Sequence, residues 1–446
     1  MLKKLKLTKL LFSLSCTLLV SPSLLAAEQA KFTDEEEDSF TEGRSFFHIP
    51  WVAAPSSTTA RDGLGPLFSS NTCASCHIAK KQKSPLITDS FVHGLYVVRL
   101  AQFEEHFKRK TEQIALPDPV YGHQLSSKSI GTVPLEGKVK LSKKSFNEPS
   151  SDGTQVKLSQ WEIGTHQMGY GPLDSKTGIS IRITPPLIGL KYIENLPEEY
   201  FAEESKLQTE ADPEMAGKAN KVYDPVNKTF AIGKFGWKAS QPSILVQSGD
   251  AALNDMGLTN IVIENESCTQ FQKECLEAPR GRRLKFEMHL PDYDLPTHRL
   301  ESIAFYVAHL PLPPKKELTK EELKLSERGK KVFNELQCVF CHKPSLTTKD
   351  GVTFEPFSDF LLHDMGEGLS DKRPEFEASV SQWRTAPLWR NYTKAELGLG
   401  YLHDGRAETL IEAIAWHGGQ AQKAKEGFLS LSEEDREALL KYLNSL

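Results

Sequence analysis

Cys73-Ala74-Ser75-Cys76-His77 and Cys338-Val339-Phe340-Cys341-His342 decide the reading of this chain. In each, two thiols three residues apart can add across the two vinyl groups of one haem, while the adjacent imidazole turns back to ligate its iron. With 7 Cys and 13 His among 446 residues, chance would supply about 0.003 such matches, so two copies leave little room for coincidence. Thiols that merely pack or bind zinc are the competing reading. The sequence therefore predicts two covalently attached haem c groups, held through Cys73, Cys76, Cys338 and Cys341, with His77 and His342 as proximal iron ligands.

Working outward, the chain opens with Lys3, Lys4, Lys6 and Lys9, an apolar run from Leu10 to Leu25, and small residues at Ala26 and Ala27. That pattern predicts a secretory signal cleaved near Ala27, too short and too poorly flanked for a membrane span. The predicted location is periplasmic or secreted. Cys16 lies within the run and is a poor lipidation site. Of the remaining cysteines, the haem motifs take four and leave Cys268 and Cys275, for which an oxidising compartment makes a disulfide the default; a redox-active dithiol is the rival. Losing residues 1–27 takes Lys+Arg from 54 to 50 against 59 Asp+Glu, and the net charge from −5 to −9. A nucleic-acid partner is disfavoured, and a redox partner that docks electrostatically would carry a positive face.

Phe32 to Phe47 is acidic and aromatic, with Asp34 to Asp38 reading as a solvated lead-in. From about residue 114 to 295, prolines and glycines break the chain into short alternating stretches such as 137–141 and 179–183, which predict brief strands in a loop-rich insertion. Leu300, Ile303, Val307 and Leu310 fall on one face of a predicted helix over 297–310, and the prolines at 311, 313 and 314 end it. Thr319-Lys320-Glu321-Glu322 restarts a helix with a capping box, and Ser432 caps the last one. The expected fold is mainly α. It comprises two cytochrome c-like haem domains, 28–313 and 319–446, the first containing the irregular insertion with short β-strands. Arg182-x-x-Pro185-Pro186-Leu187 and Arg384-x-x-Pro387-Leu388 form a weak internal repeat.

Distal ligands decide haem chemistry, because two strong side-chain ligands favour electron transfer and an open position admits a reactant. His403-Asp404-Gly405 followed by a short helix and His417 resembles the diheme cytochrome c peroxidase superfamily. That family places the distal ligand of its electron-transfer haem fourteen residues after the turn histidine, which here is His417. Peroxidases of the group usually have Met there, so His417 implies a lower potential. His363 and Met365 are rival ligands. More narrowly, Asp62 to Phe68, Asp118 to Gly122, Gly233 to Ala239, His363 to Gly366, Trp383 to Trp389 and His403 to Ala407 resemble the di-haem oxidoreductase group, also labelled peroxidase or thiol oxidoreductase.

The resemblance implies His93, sixteen residues after His77, as a displaceable ligand of the first haem, and Glu194 as the acid/base group over its open face. Asp212 to Gly217 is a depleted version of the family's Asp/Gly-rich loop, which puts a bound calcium in doubt. Trp237 and Trp383 are candidate electron carriers between the haems, with core packing as the plainer role. Arg384 and Arg406 are suited to pair haem propionates. The expected function is reduction of hydrogen peroxide or another small oxidant at the first haem, with electrons relayed by the second from a donor cytochrome or other redox protein. A plain electron carrier and an oxidase acting on a partner protein are the alternatives.

Overall fold

Thr33 and Thr319 start two helices in the same way. Each threonine accepts from the amide three residues on, and Glu36 or Glu322 accepts in return from the threonine amide, so each box satisfies two donors that a helix start leaves unpaired. Ten residues after each threonine stands a glycine, Gly43 or Gly329. The helix Asp34–His48 meets Thr297–Ala308 at Gly43, where an added Cβ would lie 1.9 Å from the Ser302 carbonyl oxygen. Lys320–Glu335 meets Glu433–Leu443 at Gly329, where a Cβ would lie 2.0 Å from the Ala438 oxygen. Only a missing side chain permits so close an approach. Three and four residues further on, Phe46 and Phe47 in one crossing and Val332 and Phe333 in the other are buried. The Phe47 ring lies 6.3 Å from His77 and the Phe333 ring 6.5 Å from His342. Both Cys-x-x-Cys-His turns thus sit against equivalent helix crossings. Gly329→Ala forces a methyl into the Ala438 backbone and is expected to cost about 1–3 kcal/mol. Denaturant unfolding measures it, and a variant as stable as the parent would refute a tight crossing.

A computed structural model describes residues 32–77, 91–92, 94–103, 112–150, 153, 155–281 and 292–446. The expected signal segment with Cys16, and His93, lie outside the described residues. Among the described residues no helix is long and apolar enough to cross a membrane.

The expectation of a mainly α chain is overturned. Helix accounts for 32% and strand for 20%, the strands among the described residues being spread over seven sheets of two or three strands. One cause is a hairpin far longer than the brief strands expected. Lys138–Pro149 pairs with Gln155–His166 over its full length, Lys138 opposite His166 and Pro149 opposite Gln155. Val139 and Leu141 are buried at its base, but residues 143–148 are half-buried or exposed, so apolar alternation marks only the base. A second cause is the number of short paired strands, such as Leu362–Asp364 with Gln382–Arg384, whose length gives too few residues for a period to be read. The acidic run 34–38 also differs from its reading, because it forms the first turns of the helix Asp34–His48, where carboxylates suit the positive helix end.

The hairpin reaches across the chain. Leu158 is buried in one cluster with Phe333, Trp416, Phe428 and Leu439. Phe146 meets Trp416 edge to face at 5.5 Å, Lys425 pairs Glu148 at 2.6 Å, and Ser150 donates to the Leu429 carbonyl. The other large cluster mixes Phe46, Phe47 and Leu300 with Leu346, Phe354, Leu361 and Trp389. A three-stranded sheet orders Gln124–Leu125, Tyr96–Gln102 and Thr177–Ile183, and the last strand delivers Arg182 to Pro185 to the first haem motif.

Candidate functional site

Cys73, Cys76 and His77 form one end of a cavity whose wall also includes Pro185, Trp237 and Arg384. The motif's first three residues make one 3-10 turn, closed by Cys76 and His77 amides donating to the Cys73 carbonyl. His77 Nδ1 donates to the Pro185 carbonyl at 3.2 Å, which leaves Nε2 free to bind a metal. Burial lowers the His77 pKa to about 4, so the ring is neutral, the ligating form. Burial also pushes the Cys73 thiol up to about 12, which removes it from the class of reactive thiolates.

The second turn repeats this chemistry. His342 Nδ1 donates to the Phe357 carbonyl at 2.9 Å, and burial lowers its pKa to about 4. His417 Nδ1 donates to the Ala413 carbonyl at 2.8 Å, one helical turn back at the end of Leu410–Ala415. A charge on His417 would lower the His342 pKa further, and burial lowers the His417 pKa too. Both rings are therefore neutral, with Nε2 uncommitted. His363, a rival for this role, has both nitrogens engaged: Nε2 donates to Asp359 at 2.9 Å and Nδ1 faces the Met215 carbonyl at 3.1 Å. His363, Asp359 and Cys341 lie close enough to hold an ion, but the haem reading uses the Cys341 sulfur. Asp212 Oδ1 accepts from the Glu214 amide, within the loop whose sequence puts a bound calcium in doubt.

A buried charged cluster borders the first cavity, whose wall includes Arg182, Arg373 and Glu375. Arg182 pairs Asp371 at 2.7 Å and Glu375 at 3.2 Å, Arg373 pairs Glu375 at 2.9 Å, and Lys238 pairs Asp371 at 3.3 Å, all buried. Trp383 lies within it, stacked on His403 at 3.7 Å, with Lys238 Nζ 4.0 Å and Arg182 5.0 Å from its ring centre. Trp237 is placed otherwise. Its Nε1 donates to the Ile183 carbonyl at 2.9 Å, its side chain lines the first cavity, and it packs against the cluster that includes Cys338.

Arg384 lines the first cavity with Nε donating to the Gly236 carbonyl at 2.9 Å, while its buried Nη1 finds no partner. That orphaned donor, with the free Nε2 atoms, fits a group bearing a metal and carboxylates. Arg406 is elsewhere, over Trp416 at 4.7 Å beside His417, with its fork directed to Asp404 and the Gly368 carbonyl, each at 2.7 Å. Glu194 is not in the cavity wall; its carboxylate accepts from the Ile244 amide at 3.1 Å at the start of the helix Ile244–Met256. Sequence reasoning missed Asp255 and Lys394, which line the cavity, because neither belongs to a motif. The sulfurs of Cys268 and Cys275 lie 2.00 Å apart.

Comparison with known proteins follows the same line. The family model described as "Di-haem oxidoreductase, putative peroxidase" matches residues 128–446. Among curated proteins none matches. Of solved structures, Kuenenia stuttgartiensis hydrazine synthase pressurised with 20 bar xenon is 20% identical, over 33% of this chain and 55% of that chain, with a TM-score of 0.24, a likeness too low to carry an argument. The family match takes in well over half of the sequence, including the Cys338 turn, His417 and Arg384, and on that ground the chain belongs to the di-haem oxidoreductase family.

Proposed function

We propose that the chain reduces a small oxidant such as hydrogen peroxide at the Cys73–His77 site, with electrons taken from a partner redox protein at the Cys338–His342 site. The supporting observation is the asymmetry of the two turns. Among the described residues, His342 feels the charge of a second buried imidazole, His417, whereas His77 lines a cavity. A haem c at each site, held by thioether bonds to the paired cysteines, would supply a one-electron iron centre. The Pro185, Phe357 and Ala413 carbonyls orient the three imidazoles and fix their tautomers. Lodged in an exported, oxidising compartment, Cys268 and Cys275 would be disulfide-bonded.

Peroxide cleavage needs a group that can hold and return a proton. Glu194 faces the helix start, so the carboxyl in the cavity wall is the better candidate: burial raises the pKa of Asp255, which keeps a bond from Gln124 Nε2 at 2.8 Å. Arg99, paired with Asp250 at 3.2 Å, adds positive charge to the same wall. For the relay, Trp237 is favoured over Trp383. Oxidising Trp383 would create positive charge beside Lys238 and Arg182, an unfavourable arrangement in a low-dielectric interior. Trp237→Phe is accordingly expected to slow peroxide turnover more than Trp383→Phe does, by steady-state assay with a reduced donor. Electron paramagnetic resonance of oxidised and half-reduced protein tests the whole reading. Two low-spin haems in every redox state, with no turnover of peroxide, would identify a plain electron carrier instead.

A further inference from the structure

The wall of the first cavity holds a buried ammonium that no acid among the described residues answers. Lys394 stands on the short helix Asn391–Leu397 and lines the cavity that begins at Cys73, Cys76 and His77. Burial lowers its ammonium to about 8, and no carboxylate among the described residues pulls it back up. The Tyr401 ring lies 5.6 Å from Nζ. Arg384 lines the same cavity with its Nη1 buried and unpartnered, and burial lowers it too, to about 10. By contrast Arg99, Arg182 and Arg373, also in the wall, are answered by Asp250, Asp371 and Glu375. An uncompensated buried cation costs several kcal/mol. Lys394 without an acid, and Arg384 with an unpartnered Nη1 and a pKa that burial lowers in spite of Asp359, line one cavity and call for an anion supplied from outside the chain.

We propose that Lys394 and Arg384 together bind a carboxylate of the group seated in this cavity, a haem propionate, Arg384 through its planar fork and Lys394 as a point charge. This rests on the reading that the Cys73–His77 turn carries a haem. Lys394 is then a positioning residue that also sets the potential of that haem, because positive charge nearby favours the reduced iron. Neither motif spacing nor the family description assigns it.

The test uses full-length protein with its haems attached, in the variants Lys394→Met and Lys394→Arg, with Lys394→Gln standing in should the Met variant not fold. Haems per chain are counted from the pyridine haemochrome spectrum, and each haem is titrated potentiometrically. The expected result is two haems per chain in every form, one potential lowered in Lys394→Met by about a tenfold shift of the redox equilibrium, about 59 mV for one electron, and most of the parent value kept in Lys394→Arg. Two haems with both potentials unmoved would overturn the assignment. Loss of a low-spin signal in Lys394→Met would overturn it in favour of an amine ligand to iron. Fewer than two haems in the parent would overturn the haem reading itself, and this inference with it.

Discussion

Replacing His417 with alanine is expected to convert the second haem from low-spin to high-spin in the oxidised protein and to lower turnover with a reduced donor by at least about 10–100-fold, the range typical for lost support of a metal site. Among the described residues, neither His363 nor His403 is prepared to substitute. His363 spends both ring nitrogens on Asp359 and the Met215 carbonyl, and His403 is stacked on Trp383 at 3.7 Å. Met365 is partly buried against the same cluster, so a fixed register at 417 matters more than the mere presence of a donor atom nearby. Electron paramagnetic resonance reads the spin change directly. An unchanged low-spin signal would mean that His417 only caps its helix and that another side chain supplies the ligand.

Glu375→Gln is expected to cost about 3–5 kcal/mol, because it leaves buried cations without their acid. Glu375 is 4% exposed, and it meets Arg373 at 2.9 Å and Arg182 at 3.2 Å. Burial alone would raise its pKa, but Arg182 and Arg373 outweigh burial and hold the carboxyl well below the usual range. A carboxyl depressed on folding contributes stability that is present above its unfolded pKa and is lost as pH falls through the folded one. The variant should therefore be less stable than the parent at neutral pH, and the difference should shrink on acidification below about pH 4.5. Urea unfolding at two pH values measures both. A difference below about 1 kcal/mol at neutral pH would show that Asp371 alone suffices for Arg182 and Lys238.

The parts of this architecture that local signals encode were legible in the chain. Thr319 with Glu322, and Ser432 with its following acids, announce helices that begin where expected, since a cap and its amide are three residues apart. The Cys-x-x-Cys-His turns, local by chemistry, made the two centres visible as well. The helix Asp34–His48 carried the same threonine, glutamate and glycine spacing as Lys320–Glu335, so that signal was present, but the acidic run masked it. What could not be read depends on distant partners. The outer half of the hairpin 138–166 carries only a few apolar residues, Phe146, Val156 and Leu158, among polar ones, and what covers them, Trp416 and its neighbours, comes from far along the chain. Arg384 was singled out for its shape, yet that its Nη1 lacks a partner emerges only when Gly236, Phe360 and the cavity surround it. Glu194 was nominated by position after Arg182 to Pro185, and its bond from the amide of residue 244 depends on a helix fifty residues on.

The long hairpin has a consequence for the life of the chain before it is finished. Leu158 leaves the ribosome well over a hundred residues ahead of Phe333, Phe428 and Leu439, the residues it is buried with. Until those helices follow, two paired strands stand with an unclothed apolar face and open edges, the arrangement most prone to pair with a neighbouring chain. The lysines at 143, 144 and 157 on those strands act as gatekeepers during that interval. Completion of this protein is thus an end-to-beginning event: the last helices cover a surface that the early chain carries first.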